Sequence, residues 1–364
     1  MLAIAALWLA TLTVFVPEHR WVPITSSPSP VGWKFVFADP ERPQVLYGNL
    51  GNTALAISTD GGKTWQAISF APLFVLNAAI STKPQRTLVV LTSTAGGTGP
   101  PIFQLHVSHA DGAAWNTYQI LSPQSGTIQG PLAIDQTDAN SIYLGLDQCL
   151  GACHGGVIRS RDGGQTWSAT SLTDTGVVSI ESDPLTPGVE YAIASDLSGV
   201  ESLYRTVDFG ASWTKLQTSA AIAFAIDPSS PSTIYARTSA LLRSNDRGDH
   251  WSPVPVPFAP ASAGDAIAID PGARGTIVWT TNFGAGAVLS RDSGATWLDI
   301  SEGLSNRGLE LSDVVFTRDG SLFARSFASS AVVCKSASKR SLATASAHCA
   351  AISCAKAIWP LVGM

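Results

Sequence analysis

Apolar residues along this chain come in short runs that are cut off by turn-forming residues. Phe35-Val36-Phe37-Ala38 stops at Asp39-Pro40, Ala223 to Ile226 stops at Asp227-Pro228, and Ala266 to Ile269 stops at Asp270-Pro271. After each stop and a short polar loop comes an aliphatic–aromatic pair: Leu46-Tyr47, Ile234-Tyr235 and Ile277-Val278-Trp279. Weaker copies are Leu132 to Asp135 leading to Ile142-Tyr143, and Ser179 to Pro184 leading to Tyr191. Short apolar runs bounded by Asp, Pro and Gly read as strands, and Asp-Pro suits the turn that ends one.

A second phrase follows each pair. Ser58-Thr59-Asp60-Gly61-Gly62-Lys63-Thr64-Trp65 returns as Ser160 to Trp167 around Asp162, and as Ser290 to Trp297 around Asp292. Looser copies are Thr206 to Trp213 with Asp208 and Ser244 to Trp251 with Asp246; Ser108 to Trp115 has Ala110 in place of the Asp. Asp accepts backbone N–H bonds from the one to three residues that follow it, Gly takes positive φ, and the hydroxyls satisfy the remaining turn groups. Trp opens the next strand with a large face to pack between units. The Trp positions 65, 115, 167, 213, 251 and 297 give steps of 50, 52, 46, 38 and 46 residues. Such a period predicts four-stranded propeller blades of roughly 40–50 residues. Strand a ends at Asp-Pro, b holds the aromatic, c runs into the phrase, and d follows it.

Seven strand a segments can be counted, near Phe35, Ala78, Ala133, Ser179, Ala225, Ala268 and Val315, against six phrases. Trp21-Val22-Pro23-Ile24 resembles the d segments that begin at Trp251 and Trp297. The prediction is an all-β chain, a single seven-bladed β-propeller of four-stranded antiparallel blades over residues 19–340. Trp21 to Thr25 closes it as an N-terminal outer strand and removes the exposed edges. The last blade falters at Val332 to Leu342, which holds no Asp, Gly or Trp. Residues 341–364 read as an irregular tail, as a scrambled reading frame, or, on propensity alone, as a helix from Ser341 to Ile358.

With 45% hydrophobic and 13% charged residues in 364, disorder is excluded. The net charge of −5 gives no electrostatic case for nucleic acid. Leu2 to Val16 is apolar or small throughout, short for a membrane span. It suits an export signal or membrane anchor within residues 1–18, with a buried strand of the first blade as the alternative. The chain is therefore expected to be extracytoplasmic, secreted or tethered through residues 2–16. Five Cys leave one unpaired within a monomer. A loop disulfide Cys149–Cys153 is compatible with export. Cys149 to His154 falls one residue off the c-type haem spacing, and no second ligand cluster accompanies it, so neither cofactor nor metal is expected.

The repeated phrase, S-x-D-x-G-x-T-W, resembles the Asp-box (BNR repeat) of sialidase-like β-propellers. The full blade pattern is closer to xyloglucanase-type and Ycf48-like propellers. The resemblance implies that Asp60, Asp162, Asp208, Asp246 and Asp292, with Trp65, Trp167, Trp213, Trp251 and Trp297, are structural rim residues. It implies ligand chemistry on the other face, where the b–c loops and blade links meet around the axis. Candidates there are Asp147, His154, Asp196, Glu201, Asp265, Glu310 and Asp313, with Trp33, Phe74 and Phe283 as aromatic platforms. Sialidase chemistry needs an arginine triad and a Tyr/Glu pair, but most Arg lie beside the phrases and most Tyr in the strand repeats. In xyloglucanases the loop after the first Tyr strand carries an acid; here it is Gly48-Asn49-Leu50-Gly51-Asn52. The expected function is a monomeric, non-catalytic module that binds a protein or glycan partner. The alternative is a glycoside hydrolase using Asp147 or Asp196 with Glu310 or Asp313.

Overall fold

The computed structural model describes residues 9–16, 20–23, 35–94, 101–121, 127–147, 155–196, 198–257, 266–281, 286–303 and 310–328. Every element among them is a strand. None is a helix long and apolar enough to cross a membrane. The strands form four-stranded antiparallel sheets, the blades of a β-propeller.

Six sheets are each continuous in sequence. Their a strands are Val36–Ala38, Phe74–Ser81, Thr127–Ile134, Gly176–Ser182, Ala223–Ile226 and Ile267–Ile269. The b strands are Leu46–Leu50, Thr87–Ser93, Ile142–Asp147, Glu190–Ser195, Ile234–Arg237 and Ile277–Thr281. The c strands are Ala54–Ser58, Phe103–Ser108, Gly156–Ser160, Glu201–Thr206, Leu241–Ser244 and Gly286–Ser290. The d strands are Gln66–Ser69, Asn116–Gln119, Ser168–Thr173, Thr214–Ser219, Ser252–Val254 and Leu298–Asp299.

One further sheet joins both ends of the chain: Glu310–Phe316, Leu322–Ala328, Leu9–Val16 and Arg20–Pro23, in that spatial order. Thr13 pairs with Ala324 on one side and with Pro23 on the other. The sequence reading assigned one N-terminal strand to this sheet, and the structure pairs two. The apolar stretch Leu9–Val16 takes the c position, which Val332 to Leu342 lacks the residues to fill. Trp21 is buried with Phe316, Leu322 and Ala324, and its indole N–H donates to the Ile300 carbonyl at 2.8 Å. The tail from 329 and the Cys149–Cys153 loop lie outside the described residues.

The repeated phrase is a turn whose polar atoms satisfy one another. Ser58 Oγ donates to Asp60 and accepts from Gly62 N; Asp60 accepts from the N–H and hydroxyl of Thr64 at 2.8 and 2.6 Å. The Asp thus holds the residue four positions on, one step beyond the expected reach. These hydrogen bonds lower the Asp60 pKa to about 2. The Trp lies in the turn itself: Trp65 Nε1 donates to Gly62 O, and strand d starts one residue later. In the worn copy Ser108 still caps Gly112 N, while Asp111, at φ 50°, turns outward to Arg42 and Arg86.

Two further devices recur. The Asp that ends strand a is buried and caps its own turn: Asp135, followed by Gln136 in place of Pro, accepts through Oδ1 from Thr137 N at 2.7 Å and through Oδ2 from Gly188 N of the next blade at 2.8 Å. The Tyr of strand b and an Arg of strand c clasp the next blade's Asp-box. Tyr191 Oη and Arg205 Nη1 both donate to Arg247 O, at 3.4 and 2.8 Å; Tyr235 Oη donates to Ser293 O at 3.3 Å; and Arg159 donates to Phe209 O. Each accepting carbonyl belongs to the positive-φ residue of its box.

Candidate functional site

Two regions of the propeller carry candidate chemistry: the face with the b–c loops, and the axis. On the first, Trp33, His154, Asp265 and Phe283 lie outside the described residues. Asp147 ends its b strand opposite Thr127. Glu310 and Asp313 both fall on the a strand Glu310–Phe316, Glu310 opposite Phe327. Nothing is described of these three side chains. Phe74 opens an a strand, half-buried. Asp196 is fully resolved: its Oδ1 accepts from Ser198 N at 2.9 Å and Val200 N at 3.1 Å, closing the b–c hairpin. Glu201 begins the following strand, and burial raises its carboxyl pKa. Asp196 therefore organises its own loop through Oδ1.

The axis is better defined. The residue two before the Asp-Pro aspartate, or its equivalent by register, is Phe37, Ala79, Ala133, Glu181, Ala225, Ala268 or Val315 in successive blades. All seven line two overlapping cavities of about 490 and 560 Å³ along the axis. One step beyond the aspartate, Pro40, Thr82, Gln136, Pro184, Pro228, Pro271 and Arg318 form the next ring out. Strand a, with its small and branched residues, thus lines the axis. The cavity runs towards the Asp-Pro end, opposite the face favoured from the sequence.

Glu181 is the one carboxyl in the inner ring. Its surface opens on the channel, yet protein surrounds it closely enough for burial to push its carboxyl pKa up to about 7. No hydrogen bond or ion pair is made by its side chain among the described residues. Gln136 is fixed by donating from Nε2 to Ile80 O at 2.8 Å and Ile134 O at 3.1 Å, which leaves its amide oxygen as a remaining acceptor. Sequence reasoning missed Glu181. The signal was present: a charge stands where the other repeats place Ala, Val or Phe.

A second buried acid serves no site. Glu190 occupies the core position held by Leu46, Ile142, Ile234 and Ile277 in other blades, and both carboxyl oxygens lack a hydrogen-bond partner. Burial raises its pKa well above the ordinary carboxylate value, with the adjacent Ser182 hydroxyl opposing the shift and Asp135 and Asp183 adding to it; the Ser182 proton itself goes to the Ile134 carbonyl.

Comparison with known proteins fits this architecture. The BNR/Asp-box repeat family matches residues 56–67 and 158–169, the boxes of Asp60 and Asp162. A family described as sortilin, neurotensin receptor 3, matches residues 201–358, under half of the chain. No curated protein matches. Among solved structures, the GH74 xyloglucanase from Xanthomonas campestris is 18% identical with TM-score 0.57, over 79% of this chain and 50% of that one. YCF48 from Cyanidioschyzon merolae is 16% identical with TM-score 0.56, over 86% of this chain and 98% of that one. The GH74 enzyme from Niastella koreensis is 17% identical with TM-score 0.39, over 81% of this chain and 53% of that one. The chain spans about half the length of the two GH74 proteins. The chain is a β-propeller of four-stranded antiparallel blades that carries BNR/Asp-box repeats at residues 56–67 and 158–169.

Proposed function

We propose that the protein is a non-catalytic, seven-bladed binding propeller, closed by its N-terminal strands, that takes a protein or glycan partner on the b–c face around the axis. The observation that carries this reading is Asp196, whose Oδ1 closes its own b–c hairpin by accepting from the Ser198 and Val200 N–H groups. The aspartates of the Asp-boxes and those that end the a strands are likewise committed to turns. Ring closure is supported by the pairing of Leu9–Val16 with Leu322–Ala328 and by Trp21 in the core beside Phe316. A membrane tether through residues 2–16 would use the same residues as that strand, and the pairing favours the strand. The extracytoplasmic location is part of the proposal and is tested by cell fractionation with recovery of the N-terminal peptide.

The chain is to be screened on a glycan array and, in parallel, against reporter glycosides that include xyloglucan oligosaccharides. Binding without turnover is the expected result. Hydrolysis that disappears in Asp147→Asn, Asp196→Asn, Glu310→Gln or Asp313→Asn would establish the hydrolase reading instead.

A further inference from the structure

The two axial rings differ in kind from the rest of the molecule. The inner ring is apolar except for Glu181, and the outer ring is largely proline. A cavity of about 560 Å³ falls within the roughly 300–1,000 Å³ of small-ligand sites, which pair apolar walls with a few placed polar groups. We propose that the Asp-Pro end of the axial channel is a binding site for an organic cation, a primary ammonium on an apolar body, held by the Glu181 carboxylate. It stands apart from partner binding at the b–c face and holds whether or not that binding occurs.

The argument runs from what Glu181 lacks. Of the charged groups along the channel, Asp39 is buried and paired with Arg86. Glu41, Lys83 and Arg318 are exposed at the outer end, and none forms an ion pair with Glu181. The Glu181 side chain is exposed to the channel, and the apolar ring around it, with no donor to the carboxyl among the described residues, favours the protonated form. An ammonium ligand supplies both the opposite charge and the N–H donors, so the carboxyl ionises as the ligand enters. A neutral ligand of the same shape supplies neither. The apolar body packs on Phe37 and Val315, with Pro184 at the rim. The Gln136 amide oxygen offers a second acceptor.

The linkage to a proton gives the test its specificity. Binding to a protonated Glu181 must release that proton, and binding to an ionised one releases none. The full chain is titrated calorimetrically with 2-phenylethylamine, and with 2-phenylethanol as the neutral isostere, at pH 6 and pH 8.5 in buffers of different protonation enthalpy. The amine is expected to bind at least tenfold more tightly than the alcohol. Release of most of one proton at pH 6, and of almost none at pH 8.5, is expected from wild-type protein. Glu181→Gln is expected to lose the preference for the amine while keeping its thermal midpoint, since the side chain is exposed to the channel and makes no hydrogen bond among the described residues. The proposal is overturned by equal affinity for amine and alcohol, by no amine binding, or by amine binding without proton release at pH 6. The last readout needs no variant.

Discussion

Glu190→Ile replaces a buried acid with the residue type that its repeats carry at the same place. The acid is fully buried, its two oxygens are unpartnered, and the Ser182 hydroxyl spends its one proton on the Ile134 carbonyl at 3.1 Å. A buried, unsatisfied polar group costs about 1–3 kcal/mol, so the variant should be more stable by about that much at pH 5. The pH dependence follows from the raised pKa. Below the ordinary carboxyl range both folded and unfolded chains hold the proton. Above it the unfolded chain releases the proton and the folded chain keeps it, so wild-type stability falls as pH rises toward the folded value. The slope is at most about 1.4 kcal/mol per pH unit for one proton. Glu190→Ile lacks this slope, so its advantage should widen from pH 5 to pH 7. Glu181 and His106 titrate in both proteins and cancel in the difference. The assay is urea unfolding followed by tryptophan fluorescence at pH 5, 6 and 7. Glu190→Gln serves as a control that flattens the slope but leaves a polar group buried. An advantage that does not change with pH, or a variant less stable at every pH, would refute the reasoning.

Other expectations concern the joints between blades. Arg205→Met removes the donor to Arg247 O and the ion pair with Asp249 at 3.0 Å; a loss of about 1–2 kcal/mol is expected in the same unfolding assay. Gly294→Ala would place a Cβ 2.4 Å from Val254 Cγ1 of the preceding blade, at φ +93°. The combined overpacking and backbone strain should cost about 2–4 kcal/mol and lower the thermal midpoint. His106 is buried between Thr92 and Thr117, at 2.9 Å from each, and burial lowers its pKa to about 4. The folded chain resists its protonation, so stability should fall by roughly 3 kcal/mol as pH drops from about 6.5 to 4. His106→Gln should lose most of that acid sensitivity, measured as unfolding midpoint against pH.

The repeated Asp-box and the Asp-Pro stop were local patterns, and local patterns fix local structure. Ser58, Asp60, Gly62 and Thr64 close one turn with their own atoms, so the turn can be read without knowing what lies beside it. The same is true of the apolar a strands, and hence of the blade order. Which residues of a repeat cross to its neighbour was not legible. The Tyr191 and Arg205 clasp on Arg247 O joins residues far apart in sequence, and only the packing of one blade on the next brings them together. Leu9–Val16 shows the same limit: an apolar stretch reads alike as a leader or as a buried strand, and its pairing with Leu322–Ala328 favours the strand. Glu181 was visible as a letter out of pattern, but its meaning depends on the ring that the other blades build around it. Composition and periodicity determine the wheel because each spoke repeats; the tertiary structure alone decides what faces the hub, because the hub is made of one residue from every spoke.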